Sequence, residues 1–179
     1  GDVYKRQDYT LDTIYIGGGT PTTLNAAQME RLLTKVTELF PMEQVQEFTV
    51  EAGRPDTINE EVLKAIRKFP VTRISINPQT MNQETLDLIG RHHTVEEIEE
   101  KFRMARSLGF DNINMDLIVG LPGEDTDSVE NTLRQVKELS PESLTVHTLA
   151  IKRAANLNIE MDKYRDTLKS DIDSQLGAV

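Results

Sequence analysis

From residue 11 onward, short runs rich in Ile, Val, Thr and Leu alternate with stretches whose apolar residues recur at helical spacing. That is the pattern of successive βαβ units and a parallel sheet. Five runs read as strands: residues 13–16, 45–50, 73–76, 113–119 and 144–149. Their length favours strands over buried helices. Met29, Leu32, Leu33, Val36 and Phe40 share one helical face, with Asn25 placed to cap its start and Pro41 to follow its end. Asn59 can cap a second helix that buries Val62, Leu63 and Ile66. Thr94 and Glu97 offer a capping box ahead of Ile98, Phe102 and Ala105, and Leu108-Gly109-Phe110 closes that helix. A further helix should bury Val129, Leu133 and Val136 and stop before Pro141, because proline disfavours helical geometry in the residue before it. Residues 159–176 read as weakly helical. No repeat, low-complexity segment or linker interrupts the alternation. Right-handed crossovers would lay the helices over the sheet and gather the loops that follow the strands on one face.

Composition narrows the class. A chain of 179 residues with 37% hydrophobic content matches one ordinary domain with a real core. Twenty basic against thirty acidic residues leave a net charge of -10, which argues against nucleic acid and against an anionic membrane surface. No apolar run approaches the ~20 residues of a membrane span, and the first residues lack the basic-then-apolar order of a signal peptide, so the expected location is the cytoplasm. Cysteine is absent, which excludes disulfides, a thiolate nucleophile and any thiolate-held zinc or iron–sulfur centre within these residues. Residues 1–7, GDVYKRQ, have no hydrophobic period and read as a non-native leader. Residues 8–158 then form the domain, and residues 159–179 begin a helical extension.

Candidate chemistry collects where the strands end. IYIGGGTP, FTVEAGRP, ISINPQTM, NMDLIVGLPGE and VHTLA each put glycine, proline or a polar group there, and α/β barrels and open sheets bind ligands at that end. Glu51, Gln79 and Asp116 would point polar atoms into one mouth, suited to a ribose or an amino acid. Gly17-Gly18-Gly19-Thr20-Pro21 fits neither GxxxxGK[ST] nor GxGxxG, and by itself reads equally as a tight strand-to-helix turn. Leu121-Pro122-Gly123 reads as a turn. Taken singly, Arg91 reads as a surface ion pair, and Glu51 or Asp116 reads equally as a barrel-internal charge paired to Arg54 or Arg73. His92 and His93, between two helices, read as solvated or capping rather than as metal ligands or proton shuttles, and His147, on a strand, as a hydrogen-bonded core histidine rather than a group facing the substrate. The acidic run 96–100 reads as a solvated helix face.

The order of these pieces carries more than any one of them. GGGTP after a strand, a strand-end glutamate, a strand-end glutamine, an isolated arginine and DLIVGLPGE together resemble the oxygen-independent coproporphyrinogen III oxidase family of radical S-adenosylmethionine (SAM) enzymes. TVEAGRPDTI, RISINPQTM and HTLAIKRAANLN resemble its coproporphyrinogen dehydrogenase variant branch, common in Gram-positive bacteria, over about residues 11–158. The resemblance implies a partial (βα)6 TIM-like barrel of about five parallel strands. It also implies SAM bound to a [4Fe–4S] cluster and cleaved to a 5′-deoxyadenosyl radical. The implied oxidoreductase activity is decarboxylation of coproporphyrinogen III propionates to the vinyls of protoporphyrinogen IX, for haem biosynthesis. The implied partners are the porphyrinogen and a one-electron donor such as flavodoxin or ferredoxin.

Carried over by motif, Gly19 and Thr20 should approach the methionyl end of SAM, and Gly18 and Glu51 a second cofactor site. Gln79 and Asp116 should hydrogen-bond the nucleoside, Arg91 should pair with a carboxylate, and Ala150 should lie against the adenine. No residue of the chain is assigned as catalytic or as a metal ligand. The family's CxxxCxxC is missing, so the expectation is a barrel lacking its first βα unit, with residues 13–16 unpaired on one side and the chain alone inactive. Asn77-Pro78 stands where many relatives carry a small flexible pair. Two other readings stay open: a haem-transfer relative of the same family, or an unrelated α/β domain binding a nucleotide or sugar.

Overall fold

The computed structural model describes residues 11–149, so the expectations for residues 1–7, Ala150 and residues 159–179 lie outside it. Five strands, β1 (Thr13–Ile16), β2 (Glu47–Gly53), β3 (Arg73–Gln79), β4 (Ile113–Val119) and β5 (Ser143–Thr148), form one sheet in sequential order. Every neighbouring pair is parallel. Sequential parallel order is that of a barrel wall rather than of a doubly wound sheet. The wall curls: Tyr15 of β1 and Thr145 and His147 of β5 line one cavity of about 260 Å³. In a flat sheet those strands would stand roughly 19 Å apart. Among the described residues β1 pairs only with β2.

Local sequence accounts for the helices. In α1 (Ala26–Leu39), Asn25 accepts from the Gln28 amide while the Gln28 side chain accepts from the Asn25 amide. Asn59 caps α2 (Glu60–Arg67), and the Thr94/Glu97 box opens α4 (Val95–Ser107). Asp125 caps α5 (Thr126–Leu139), which ends at Ser140 in the left-handed region. A short α3 (Gln83–Leu88), capped by Asn82, was not anticipated. Phe40 was expected in the core but is 45% exposed, because the chain leaves the helix at Leu39 and Phe40 is extended.

Side-chain alternation along the strands divides the wall into two faces. Phe48, Val50, Ile74, Ile76, Ile113, Met115 and Leu117 are buried with Leu33, Leu63, Ile66, Ile98 and Phe102 of the helices in one core. The intervening residues face the hollow of the arc and are largely polar. Two strands differ from expectation in length. β2 begins at Glu47, since residues 42–45 are occupied by a turn in which the Val45 amide bonds the Met42 carbonyl. β3 runs on through Asn77-Pro78 to Gln79 by means of a bulge between Ile76 and Gln79. The bulge accommodates Pro78, which has no amide for the ladder. It also leaves Gln79 at φ 74°, a conformation unusual for a residue with a side chain.

Candidate functional site

The polar positions on the hollow side join into a hydrogen-bonded belt that crosses all five strands. At the β1 end, the Gly18 amide and the Tyr15 hydroxyl donate to Oε2 of Glu51, at 3.2 and 3.4 Å. Oε1 of Glu51 accepts from Nδ2 of Asn77 at 2.8 Å. Ser75 then donates to Oδ1 of Asn77 at 3.1 Å, or to Oδ1 of Asp116 at 3.4 Å, its one proton serving one acceptor at a time. Nδ2 of Asn114 reaches Ser75 at 2.9 Å and also donates to Asp116. The Thr145 hydroxyl closes the belt on Oδ1 of Asn114 at 3.1 Å. Below it, at the strand starts, Arg73 bonds Glu47 at 3.3 Å and Ser143 at 3.1 Å. Burial, followed by the negative charges of Glu51 and Asp116, pushes the Tyr15 phenol above its ordinary value.

The structure therefore unites four of the expected site residues. Gly18 is bonded to Glu51, Glu51 reaches Asp116 through Asn77 and Ser75, and Gly19 follows in the same turn. Gly18 and Gly19 have φ of 80° and 82°, with no atom within 4 Å of where a β-carbon would stand, so the loop's backbone is open to a ligand. Thr20 instead packs its methyl toward Gly53. Gln79 sits at the end of β3, and its side-chain amide makes no hydrogen bond to a described residue. Neither Glu51 nor Asp116 forms an ion pair with Arg54 or Arg73; their partners are neutral.

Arg91 is not part of the belt. It lies in residues 89–94, between α3 and α4, half-buried, and its guanidinium forms no hydrogen bond or ion pair with a described residue. Burial pulls its pKa below the usual value; the charge of Arg54 adds to this and that of Asp56 opposes it. Arg54 and Asp56, in the turn after β2, hold each other in a two-pronged ion pair. Arg91 thus stands beside the loop after β2, on the rim where the strands end.

Two histidines depart from expectation. His93 is fully buried rather than solvated, its Nδ1 lying 3.9 Å from Oδ1 of Asp56 because α4 packs its start against the turn Pro55–Thr57. Burial lowers its pKa, with Asp56 opposing. His147 is exposed and lines the hollow rather than the core. Tyr15, Ser75, Asn77 and Asn114 were not assigned to the site from sequence, where Asn77 stood out only as part of Asn77-Pro78. Their signal was the period-two placement of Ser75 and Asn77 between Ile74, Ile76 and Pro78, and of Asn114 and Asp116 between Ile113, Met115 and Leu117. A second buried polar knot, Glu124 with Thr80 and Thr132, ties the segment after Gln79 to α5. Burial raises the Glu124 pKa.

The radical SAM superfamily profile matches residues 2–136. The chain is 47% identical over 177 residues to the oxygen-independent coproporphyrinogen-III oxidase-like protein HemZ of Bacillus subtilis (strain 168), covering 98% of this chain and 35% of that protein. It is 40% identical to the heme chaperone HemW of Lactococcus lactis subsp. lactis (strain IL1403), covering 79% of this chain and 37% of that one. Among solved structures, coproporphyrinogen III oxidase (HemN) from Escherichia coli, a radical SAM enzyme, superposes with a TM-score of 0.78 at 32% identity over 93% of this chain and 38% of its own. The chain thus spans little more than a third of the length of these relatives.

Proposed function

The chain belongs to the radical SAM superfamily, and from that premise we propose that it is the SAM-holding wall of an oxidoreductase that converts propionate side chains of coproporphyrinogen III to vinyls. The observation that carries the proposal is the polar belt across five strands, with two recognition groups, Gln79 and Arg91, that have no side-chain partner among the described residues. The 47% identity to an oxidase-like protein over nearly the whole chain supports the choice of reaction.

SAM and a [4Fe–4S] cluster are the superfamily's cofactors, and the described residues suit the first. The half-buried Arg91 guanidinium, which pairs with no carboxylate of the described residues, suits the amino-acid end of SAM. The Gln79 amide offers a donor and an acceptor to the nucleoside, and Asp116 can accept from a ribose hydroxyl. The open backbone at Gly19 admits close approach of the methionyl chain, and that at Gly18, bonded to Glu51, suits a second cofactor site. The chain does not suit the cluster, since it has no cysteine to offer as a thiolate. When bound and reduced by one electron from a cluster held outside these residues, SAM would supply a carbon-centred radical, with methionine as the leaving group, able to take hydrogen from an unactivated carbon. The wall's own share is to orient: β1 to β5 fix the belt, and the belt fixes the mouth against which substrate must be placed.

The test uses the intact protein, anaerobically, with SAM, coproporphyrinogen III and a reduced flavodoxin or ferredoxin. Formation of 5′-deoxyadenosine together with fluorescent protoporphyrin after air oxidation is the expected result. A second reading, haem transfer, is favoured by the 40% identity to a heme chaperone. Stoichiometric haem binding with a Soret band, and no porphyrin product, would establish that reading instead.

A further inference from the structure

Four charged or titratable groups meet beside the rim: Arg54 and Asp56 from the turn after β2, and Arg91 and His93 from residues 89–94. His93, two residues from Arg91, has Nδ1 3.9 Å from Oδ1 of Asp56, which brings that carboxylate into the field of Arg91, yet Arg91 and Asp56 do not pair. Arg54 already holds that carboxylate by both prongs, Nε to Oδ1 at 3.0 Å and the terminal nitrogen to Oδ2. The buried His93 ring lies beneath the same carboxylate. The backbone around Arg91 is pinned on both sides. Gly90 at φ 72° and the Arg91 amide bonded to the Leu86 carbonyl at 2.8 Å close α3, while the Thr94/Glu97 box starts α4. Only the Arg91 side chain is left to choose a partner.

We propose that Arg54 is a decoy cation: by occupying Asp56 it keeps the Arg91 guanidinium unpaired and available to an incoming ligand carboxylate. This rests on the reading that Arg91 receives the amino-acid carboxylate of SAM. Arg54 and Asp56 are positioning residues, acting on the ligand only through Arg91. A guanidinium that is half-desolvated and unpaired holds a carboxylate more strongly than one that must first leave an internal partner.

The experiment titrates S-adenosylhomocysteine and 5′-methylthioadenosine, which lacks the amino-acid carboxylate, into the full chain by calorimetry. Arg54→Gln frees Asp56 to capture Arg91 and should weaken S-adenosylhomocysteine about tenfold, the worth of one charge-assisted pairing. Methylthioadenosine should change by less than about twofold. The double variant Arg54→Gln/Asp56→Asn removes the captor and should restore S-adenosylhomocysteine to near the wild-type affinity, which a merely structural role for Arg54 would not produce. An unchanged ratio of the two ligands in Arg54→Gln, or a double variant as weak as the single, overturns the decoy alone. Failure of the wild type to bind S-adenosylhomocysteine, or binding that Arg91→Gln does not weaken, overturns the decoy and the SAM reading together.

Discussion

Replacing Glu51 by alanine should split the belt between β2 and its neighbours. The side chain accepts two bonds of good length, from Asn77 at 2.8 Å and the Gly18 amide at 3.2 Å, and a long one from Tyr15 at 3.4 Å. A hydrogen bond to a charged group contributes about 1.5–3 kcal/mol when buried, but Glu51 is partly exposed and water can replace it, so about 1 kcal/mol for each good bond is the appropriate scale. The long bond adds little. Glu51→Ala should therefore cost about 2 kcal/mol, which at a urea slope of about 2 kcal/mol/M lowers the denaturation midpoint by about 1 M with the slope unchanged. Glu51→Gln is the discriminating companion. Its carbonyl can still accept from Gly18, and its amine, turned toward Asn77, can be met by an amide flip of Asn77 that presents Nδ2 to Ser75. It should cost less than about half as much as alanine. A midpoint shift below about 0.3 M for alanine, or glutamine as damaging as alanine, would show that the belt does not hold the strand ends together.

Other perturbations test separate parts of the argument. Gly53→Ala places a methyl at φ 68° and 3.0 Å from the Thr20 methyl, so it should cost about 2 kcal/mol in urea unfolding; adding Thr20→Ser should recover only the contact part, and full recovery would remove the strain argument. Glu51→Gln should lower the Tyr15 phenol pKa toward its ordinary value but not all the way, because burial and Asp116 remain; carbon-13 tyrosine NMR reads this, and an unmoved titration would deny the coupling. Burial raises the folded-state pKa of Glu124 above that of the unfolded chain, so its contribution is present in acid and is lost as pH rises through the folded value. The stability of Glu124→Gln relative to wild type should accordingly increase from pH 4.5 to 7.5, and a constant difference would contradict the assignment. Phe48, fully buried between sheet and helices, should cost about 3–5 kcal/mol on replacement by alanine, measured by the same denaturation; less than about 1 kcal/mol would mean the outer face is not the core.

Features written within a few residues of one another were legible before any fold was known. The caps at Asn25, Asn59 and Thr94 are contacts across three positions, and β1 and β4 begin and end where their apolar runs do. The order of motifs along the chain likewise pointed to the family, because that order survives folding. Tertiary structure alone decided which polar residues act together. The belt bonds that pass from one strand to the next join positions from 26 to 41 residues apart, and they exist because the curl turns one face of every strand into a common hollow. The positive φ of Gln79 follows from a bulge against β4, and the burial of His93 from a turn after β2 closing over it. A short helix such as α3 gives too few apolar repeats to be read, and a histidine's surroundings are set by whichever distant segment packs upon it.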